Sequence, residues 1–152
     1  MSYDLMVFEP DSPPKGHEGF MEWYWKQVEW GEGHTYNDPA VSSERLQKFF
    51  SEIIVSFPPL NGVFAEDDLP EDEATATDYS IGRQVIYACF AWSKTEPAYE
   101  AMFNLAAKHG LGFFNVSSGT LEVWLPGPEG LVLAHKKPDP SFLAKLLKRK
   151  SQ

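Results

Sequence analysis

A run of nine residues, Gln84 to Trp92, is apolar on both faces of the strand that it predicts. It follows a shorter β-prone segment, Asp78 to Ile81, across the turn residues Gly82 and Arg83. Two β-prone runs joined by a glycine-containing dipeptide are typical of a hairpin. Because a strand with two apolar faces needs cover on both, we expect this strand at the centre of a sheet, with helices on one side and another layer opposite.

Further β-prone segments lie towards both ends of the chain. Residues 3–9 predict a first strand, which a proline and turn-forming residues bring to an end. Residues 111–116 and 121–125 predict a second hairpin around the turn at 117–120. Residues 131–133 predict a short strand at the edge of the sheet.

Four segments have the apolar spacing of helices. The first covers residues 15–30 and is apolar over more than one stripe. The second starts at the serine pair 42–43, where a hydroxyl can cap the first turn. The third runs from a predicted N-cap at Thr95 to a stop at Gly110. The fourth, over 139–150, is basic.

The order of elements is therefore β-αα-ββ-α-ββ-α, which predicts an α+β fold. We expect a mainly antiparallel sheet with helices on one face, in a ferredoxin-like, split βαβ arrangement with an added C-terminal helix. Another α+β sandwich is the alternative. No internal repeat or linker divides the chain, so residues 1–152 are predicted to form a single domain.

The charge is unevenly distributed along the chain. Residues 1–80 hold seventeen acidic and four basic side chains, whereas residues 81–152 hold five acidic and nine basic ones. An acidic half repels nucleic acid and anionic membranes and attracts a basic protein. The excess acid is also explained by solubility alone.

The acid peaks in residues 65–77, which we predict to be a mobile loop. Its carboxylates belong to Glu66, Asp67, Asp68, Glu71, Asp72 and Glu73. A calcium loop needs oxygen ligands at fixed spacing around a glycine, and here Pro70 interrupts a run with different spacing. The main interpretations are a solvated loop and a docking patch for a basic partner, and a metal site is the third alternative.

No catalytic, cofactor-binding or metal-binding motif is present. The four histidines are scattered singly, and Cys89 lies in the most apolar run, where a cysteine is usually a small buried hydrophobe. His34 is the one histidine that we consider as an acid–base group, because Tyr36 and Asp38 are close to it in sequence. A pocket near these three residues is the alternative to a binding surface.

Tryptophan is abundant in the first helix. Trp23, Trp25 and Trp30 cannot all share one of its faces, so we expect at least one to be partly exposed. Aromatic side chains are enriched at the energetic centres of protein interfaces. Trp23 and Trp30, with Tyr36 and Asp38, are therefore predicted to join the acidic loop in partner binding. Packing in the core, or pairing of two copies through their tryptophans, would equally explain so many aromatic side chains.

The sequence contains few features that indicate a cellular location. No apolar run approaches the roughly 20 residues of a membrane span, and the N-terminus lacks the pattern of a secretory signal. A single cysteine cannot form an internal disulfide. These features predict a cytoplasmic protein, and the acidic half predicts that it binds neither membrane nor nucleic acid.

Five short segments resemble a group of small acidic bacterial proteins: residues 1–8, 36–39, 78–82, 90–93 and 112–117. The resemblance extends over about the first 125 residues, and the basic extension after Pro126 has no counterpart in it. Some members of that group are similar to immunity partners of contact-dependent or polymorphic toxins. The resemblance implies a protein that acts by occluding or distorting its toxin, so it implies no catalytic residue.

The leading hypothesis is therefore a cytoplasmic immunity protein that binds and neutralises a basic toxin, with a nuclease as one such toxin. A small enzyme or ligand-binding domain with a pocket near His34, Tyr36 and Asp38 is the second hypothesis. A homo-oligomeric structural protein is the third.

Overall fold

The computed structural model describes residues 1–138, and its elements follow the predicted order. The strands are β1 (Tyr3–Phe8), β2 (Asp78–Ile81), β3 (Val85–Phe90), β4 (Gly112–Phe114), β5 (Val123–Gly127) and β6 (Gly130–His135). The helices are α1 (His17–Gln27), α2 (Glu44–Ser56) and α3 (Thr95–His109). This confirms the α+β class, while the basic helix predicted over 139–150 lies outside the described residues.

The strands of residues 1–138 form one sheet in the order β2-β3-β1-β4-β5-β6, with every neighbouring pair antiparallel. Both predicted hairpins are present, as β2–β3 and β4–β5. The doubly apolar strand β3 lies inside the sheet between β2 and β1, and β6 lies at an edge. The positions of β3 and β6 are as predicted.

Alternate side chains of the inner strands point into two separate hydrophobic layers. On β1, Leu5 and Val7 pack with α2 and α3, while Met6 and Phe8 pack on the opposite face. That opposite face is covered by α1, which buries Phe20 and Tyr24 against it. The prediction that the helices lie on one face of the sheet is therefore wrong.

The physical reason is that β1 and β3 present apolar side chains on both faces, and α1 is the element that buries the second of them. With α1 on the far side and a β5–β6 extension of the sheet, the ferredoxin-like detail of the prediction is not confirmed.

The helix ends follow local chemistry. The Ser43 hydroxyl accepts a hydrogen bond from the Leu46 amide at 3.3 Å and caps α2. Gly110 ends α3 with a positive φ of 66°. Thr95 is the first residue of α3 instead of its cap, because a 3₁₀ turn over Trp92–Lys94 leads directly into the helix. None of the described helices has the length and apolar character of a membrane span.

Candidate functional site

Residues 60–76 contain the acidic run and are called the acidic segment. Two backbone hydrogen bonds connect its two ends to each other and to the end of α2. The Leu60 amide donates to the Thr77 carbonyl, and the Thr77 amide donates to the Pro58 carbonyl, both at 2.9 Å. We call these two hydrogen bonds the clasp. Close to them, the buried hydroxyl of Tyr79 donates to the Phe57 carbonyl at 2.7 Å. The base of the segment is thereby held between the end of α2 and the start of β2.

Replacing Tyr79 by phenylalanine tests this clasp. The Phe57 carbonyl would lose its side-chain donor in a buried setting, which we expect to cost about 1–3 kcal/mol of the free energy of unfolding. Proteolysis between residues 60 and 76 should accelerate as well. Urea unfolding and limited proteolysis measure the two effects, and unchanged values of both would show that this hydrogen bond does not hold the segment.

A groove of about 370 Å³ lies between this segment and the end of α2. Its walls combine apolar and acidic side chains, from Ile54, Val55, Pro58, Pro59, Leu60, Glu66, Asp67, Asp68, Leu69, Pro70 and Ala76. We call these residues the acidic groove. Glu66, Asp67 and Asp68 are exposed within it, so negative charge lies directly beside apolar surface.

Exposed apolar side chains are concentrated in the same part of the chain, and three of them line the groove itself. Residues 1–138 contain ten exposed large hydrophobic side chains, and five of them lie between positions 55 and 69: Val55, Leu60, Val63, Phe64 and Leu69. Val55 is 82% exposed and Leu69 is 58% exposed. Apolar surface gathered in one place and edged by polar groups is typical of interaction sites. Sequence reasoning missed these residues, although a leucine inside an acidic run was a signal.

Three predicted acidic residues, Glu71, Asp72 and Glu73, do not line the groove. The Asp72 carboxylate forms an ion pair with Lys94 at 2.6 Å and accepts a hydrogen bond from the Ala74 amide. The hydrogen bond from Lys94 holds the pKa of Asp72 below its usual value. Glu71 and Glu73 are exposed. Asp72, although it is exposed as well, thus contributes to the local structure of the loop.

The predicted aromatic anchors lie elsewhere. Trp23 packs on Phe8 and Phe20, with ring centroids 5.7 Å and 5.5 Å away. The ring centroids of Trp30 and Tyr36 are 5.1 Å apart, and Trp30 belongs to the same hydrophobic layer as α1. The acidic groove adjoins α2, across the sheet from that layer. The structure therefore does not bring Trp23 and Trp30 together with the acidic residues.

Trp25 is exposed, as was predicted for at least one of the three tryptophans. Its side chain is 61% exposed, although its ring lies 5.1 Å from that of the buried Tyr24. Because Trp25 is on α1, it too lies on the far side of the sheet from the acidic groove.

The residues of the alternative pocket are engaged with their own loop. In the His34 ring, Nε2 lies 2.7 Å from Glu32 Oε1, and Nδ1 accepts from the Tyr36 amide at 3.1 Å. The Tyr36 carbonyl accepts from the Ile81 amide at 2.8 Å, and the Asp38 carboxylate caps the turn at Ala40. Since both ring nitrogens of His34 have internal partners, these contacts indicate a role in loop structure.

Cys89 lies on the α1 side of β3, close to Asp4 and Tyr87. The Tyr87 hydroxyl donates to the Asp4 carboxylate. Burial, and secondarily the charge of Asp4, raises the pKa of the Cys89 thiol to about 12. A thiol with a raised pKa is a poor nucleophile because the thiolate is the reactive form.

The raised pKa leads to a test of reactivity. At pH 8 we expect Cys89 to react with a disulfide reagent at least about 10-fold more slowly in the folded protein than in urea, because the folded protein holds less thiolate at any pH below 12. The rate should keep rising well above pH 9. A rate in the folded protein equal to that in urea would contradict this environment.

A second cavity, of about 600 Å³, lies on the other side of the sheet. It is lined by the loop after β1, the start of α1, and strands β5 and β6: Pro10, Asp11, Pro13, Pro14, Lys15, Gly16, Phe20, Val123, Leu125, Pro126, Ala134 and His135. His17 lies next to it and contacts His135. The two histidines are 118 positions apart, so no local motif connects them.

Known proteins do not supply a function for these features. Within residues 1–138, no group of three or more His, Cys, Asp or Glu side chains is arranged to hold a metal ion. No protein-family model matches the chain, and neither a curated protein nor a solved structure does.

Proposed function

We propose that this chain is a protein-binding protein that holds a basic segment of its partner in the acidic groove. Its most concrete form is a cytoplasmic immunity protein that neutralises a cognate basic toxin, for which a nuclease is a natural class. The observation that carries the proposal is the concentration of exposed apolar side chains between Val55 and Leu69, beside the exposed carboxylates of Glu66, Asp67 and Asp68.

This combination suits lysine and arginine side chains. Both have an apolar stem and a charged head, so the stem can lie on apolar surface while the head reaches a carboxylate. Val55, Leu60 and Leu69 offer that apolar surface, and the carboxylates lie in the wall of the same groove. A solvated loop explains the acid but not the exposed apolar side chains beside it.

The fixed base of the segment favours binding without large rearrangement. Because the clasp at Thr77 and the hydroxyl of Tyr79 hold both ends of the segment, less conformational freedom is lost when a partner is bound. The six carboxylates between Glu66 and Glu73 would draw a basic protein towards this part of the molecule.

The test is co-expression of the chain with the product of the adjacent gene, followed by affinity purification of the tagged chain. A stable complex and loss of the partner's toxicity are expected. If no neighbour-encoded protein co-purifies and none is toxic to cells lacking this chain, the immunity function is contradicted.

A second candidate function is a ligand-binding domain, and the 600 Å³ cavity favours it. Small-molecule sites are commonly apolar cavities of this size with a few polar groups. This cavity does not involve His34, Tyr36 or Asp38, where the pocket was predicted. Thermal shift screening of the purified protein tests this function, since a ligand of the folded state raises Tm.

A further inference from the structure

His17 and His135 bring two imidazole nitrogens together from opposite ends of the described chain. Their Nδ1 atoms lie 2.9 Å apart, and the two rings are inclined at 75°. His17 is the first residue of α1, and His135 is the last residue of β6. Each nitrogen is thus positioned by a regular element and not by a loose loop.

A hydrogen bond between two Nδ1 atoms needs a proton on one nitrogen and a lone pair on the other. Neutral imidazole is the form that binds metal ions. Half of the 2.9 Å separation is shorter than a metal–nitrogen bond of about 2.0–2.1 Å, so a metal ion bound to both nitrogens would displace the hydrogen bond and lie to one side of the line that joins them.

The spacing of the nitrogens indicates the preferred geometry. Two nitrogens about 2.0–2.1 Å from one metal ion and 2.9 Å from each other subtend an angle of roughly 90°. That angle matches neighbouring positions of a square-planar or tetragonal site, whereas a tetrahedral zinc site needs a wider one. Copper(II) and nickel(II) prefer the former, and copper(II) has the highest affinity in the divalent series.

A cavity adjoins one of the two histidines directly. The 600 Å³ cavity is lined by His135 and also by Asp11 and Lys15, which leaves room for water or a small anionic ligand. Among residues 1–138, no third histidine, cysteine or carboxylate joins the pair to form a closed site. Such a site would be open and exchangeable.

We propose that His17 and His135 form an open two-histidine site for a divalent transition metal, with copper(II) preferred, and that the adjoining cavity holds its exogenous ligand. This site is on a different part of the molecule from the acidic groove and does not depend on it. It also departs from the sequence expectation, which found no metal motif because the spacing of the histidines is long.

The first test is calorimetric titration of the full chain with copper(II), supplied as its glycine complex at pH 7.4. One site is expected, and His17→Gln and His135→Gln should each weaken copper binding by about 10-fold or more. The control is His34→Gln, which removes an imidazole that has partners within its own loop and should leave the affinity unchanged. Nickel(II) and zinc(II) should bind more weakly than copper(II).

A second measurement uses the unmodified protein and so does not depend on the folding of any variant. At substoichiometric copper(II), paramagnetic broadening should remove the imidazole signals of His17 and His135 before those of His34 and His109. The proposal is overturned if copper(II) does not bind, if the His17→Gln/His135→Gln variant binds it as tightly as the unmodified chain, or if broadening begins at another histidine. In those cases the pair is only a structural hydrogen bond between α1 and β6.

Discussion

The double substitution Asp67→Lys/Asp68→Lys is expected to weaken binding of the proposed basic partner by about 10- to 100-fold. Both carboxylates are exposed in the acidic groove, where they would attract the basic partner before contact is made. Charges at the rim of an interface act mainly on the association rate. Stopped-flow or surface plasmon resonance measurements should therefore show slower association that depends less on salt, with a smaller change in dissociation.

The matched control is Glu22→Lys/Glu29→Lys. It changes the net charge by the same amount, and both glutamates are exposed in or just after α1, which covers the opposite face of the sheet. It should lower the association rate much less. If the two double variants bind the proposed partner equally, then net charge determines the association and the acidic groove is not the docking site.

A companion substitution separates the apolar part of the groove from its charge. Leu69→Ser leaves the net charge unaltered and removes an apolar side chain that is 58% exposed. We expect faster dissociation with little change in association rate, because the stem of the bound basic residue loses a contact. An unchanged dissociation rate would restrict the docking site to the carboxylates.

Replacing Gly112 by alanine is expected to lower the free energy of unfolding by about 1–3 kcal/mol or more. A Cβ atom at this position would lie 2.3 Å from the ring of Phe8, well inside van der Waals contact. The ring cannot easily move, because Phe8 is fully buried and packs against Phe20 and Trp23. Either β1 or β4 must therefore shift, and urea unfolding followed by tryptophan fluorescence measures the cost.

Two further variants make this prediction specific. Gly119→Ala adds the same methyl group where nothing lies within 4 Å, so its effect should stay within about 0.5 kcal/mol. Phe8→Leu makes room beside Gly112, so Gly112→Ala should cost less in that background than in the unmodified chain. Equal costs in the two backgrounds would mean that the ring of Phe8 is not the obstacle.

Much of the secondary structure could be predicted because local chemistry decides it. Ser43 caps α2 with its own hydroxyl, and Gly110 ends α3 in a conformation that other residues rarely adopt. The interior position of β3 follows from its two apolar faces. Thr95 was predicted to cap α3 but is its first residue, because the preceding 3₁₀ turn leads directly into the helix.

The candidate sites were less accessible to sequence reasoning. The acidic residues of the groove were predicted as partner-binding residues, but Trp23 and Trp30 were grouped with them and lie in the α1 layer instead. A sequence shows that α1 carries apolar side chains on several sides without showing which side meets a neighbour. The His17–His135 contact joins the first residue of α1 to the last residue of β6, which no spacing rule relates.

The amino-acid sequence alone specifies which segments are helices and strands, which strand is buried on both faces, and where negative charge accumulates, because each depends on neighbouring residues. Only the tertiary structure decides that α1 covers the far face of the sheet, that apolar side chains stay exposed beside the carboxylates, and that two distant histidines meet. These features depend on how the faces of separate elements pack, and that packing is a property of the whole chain.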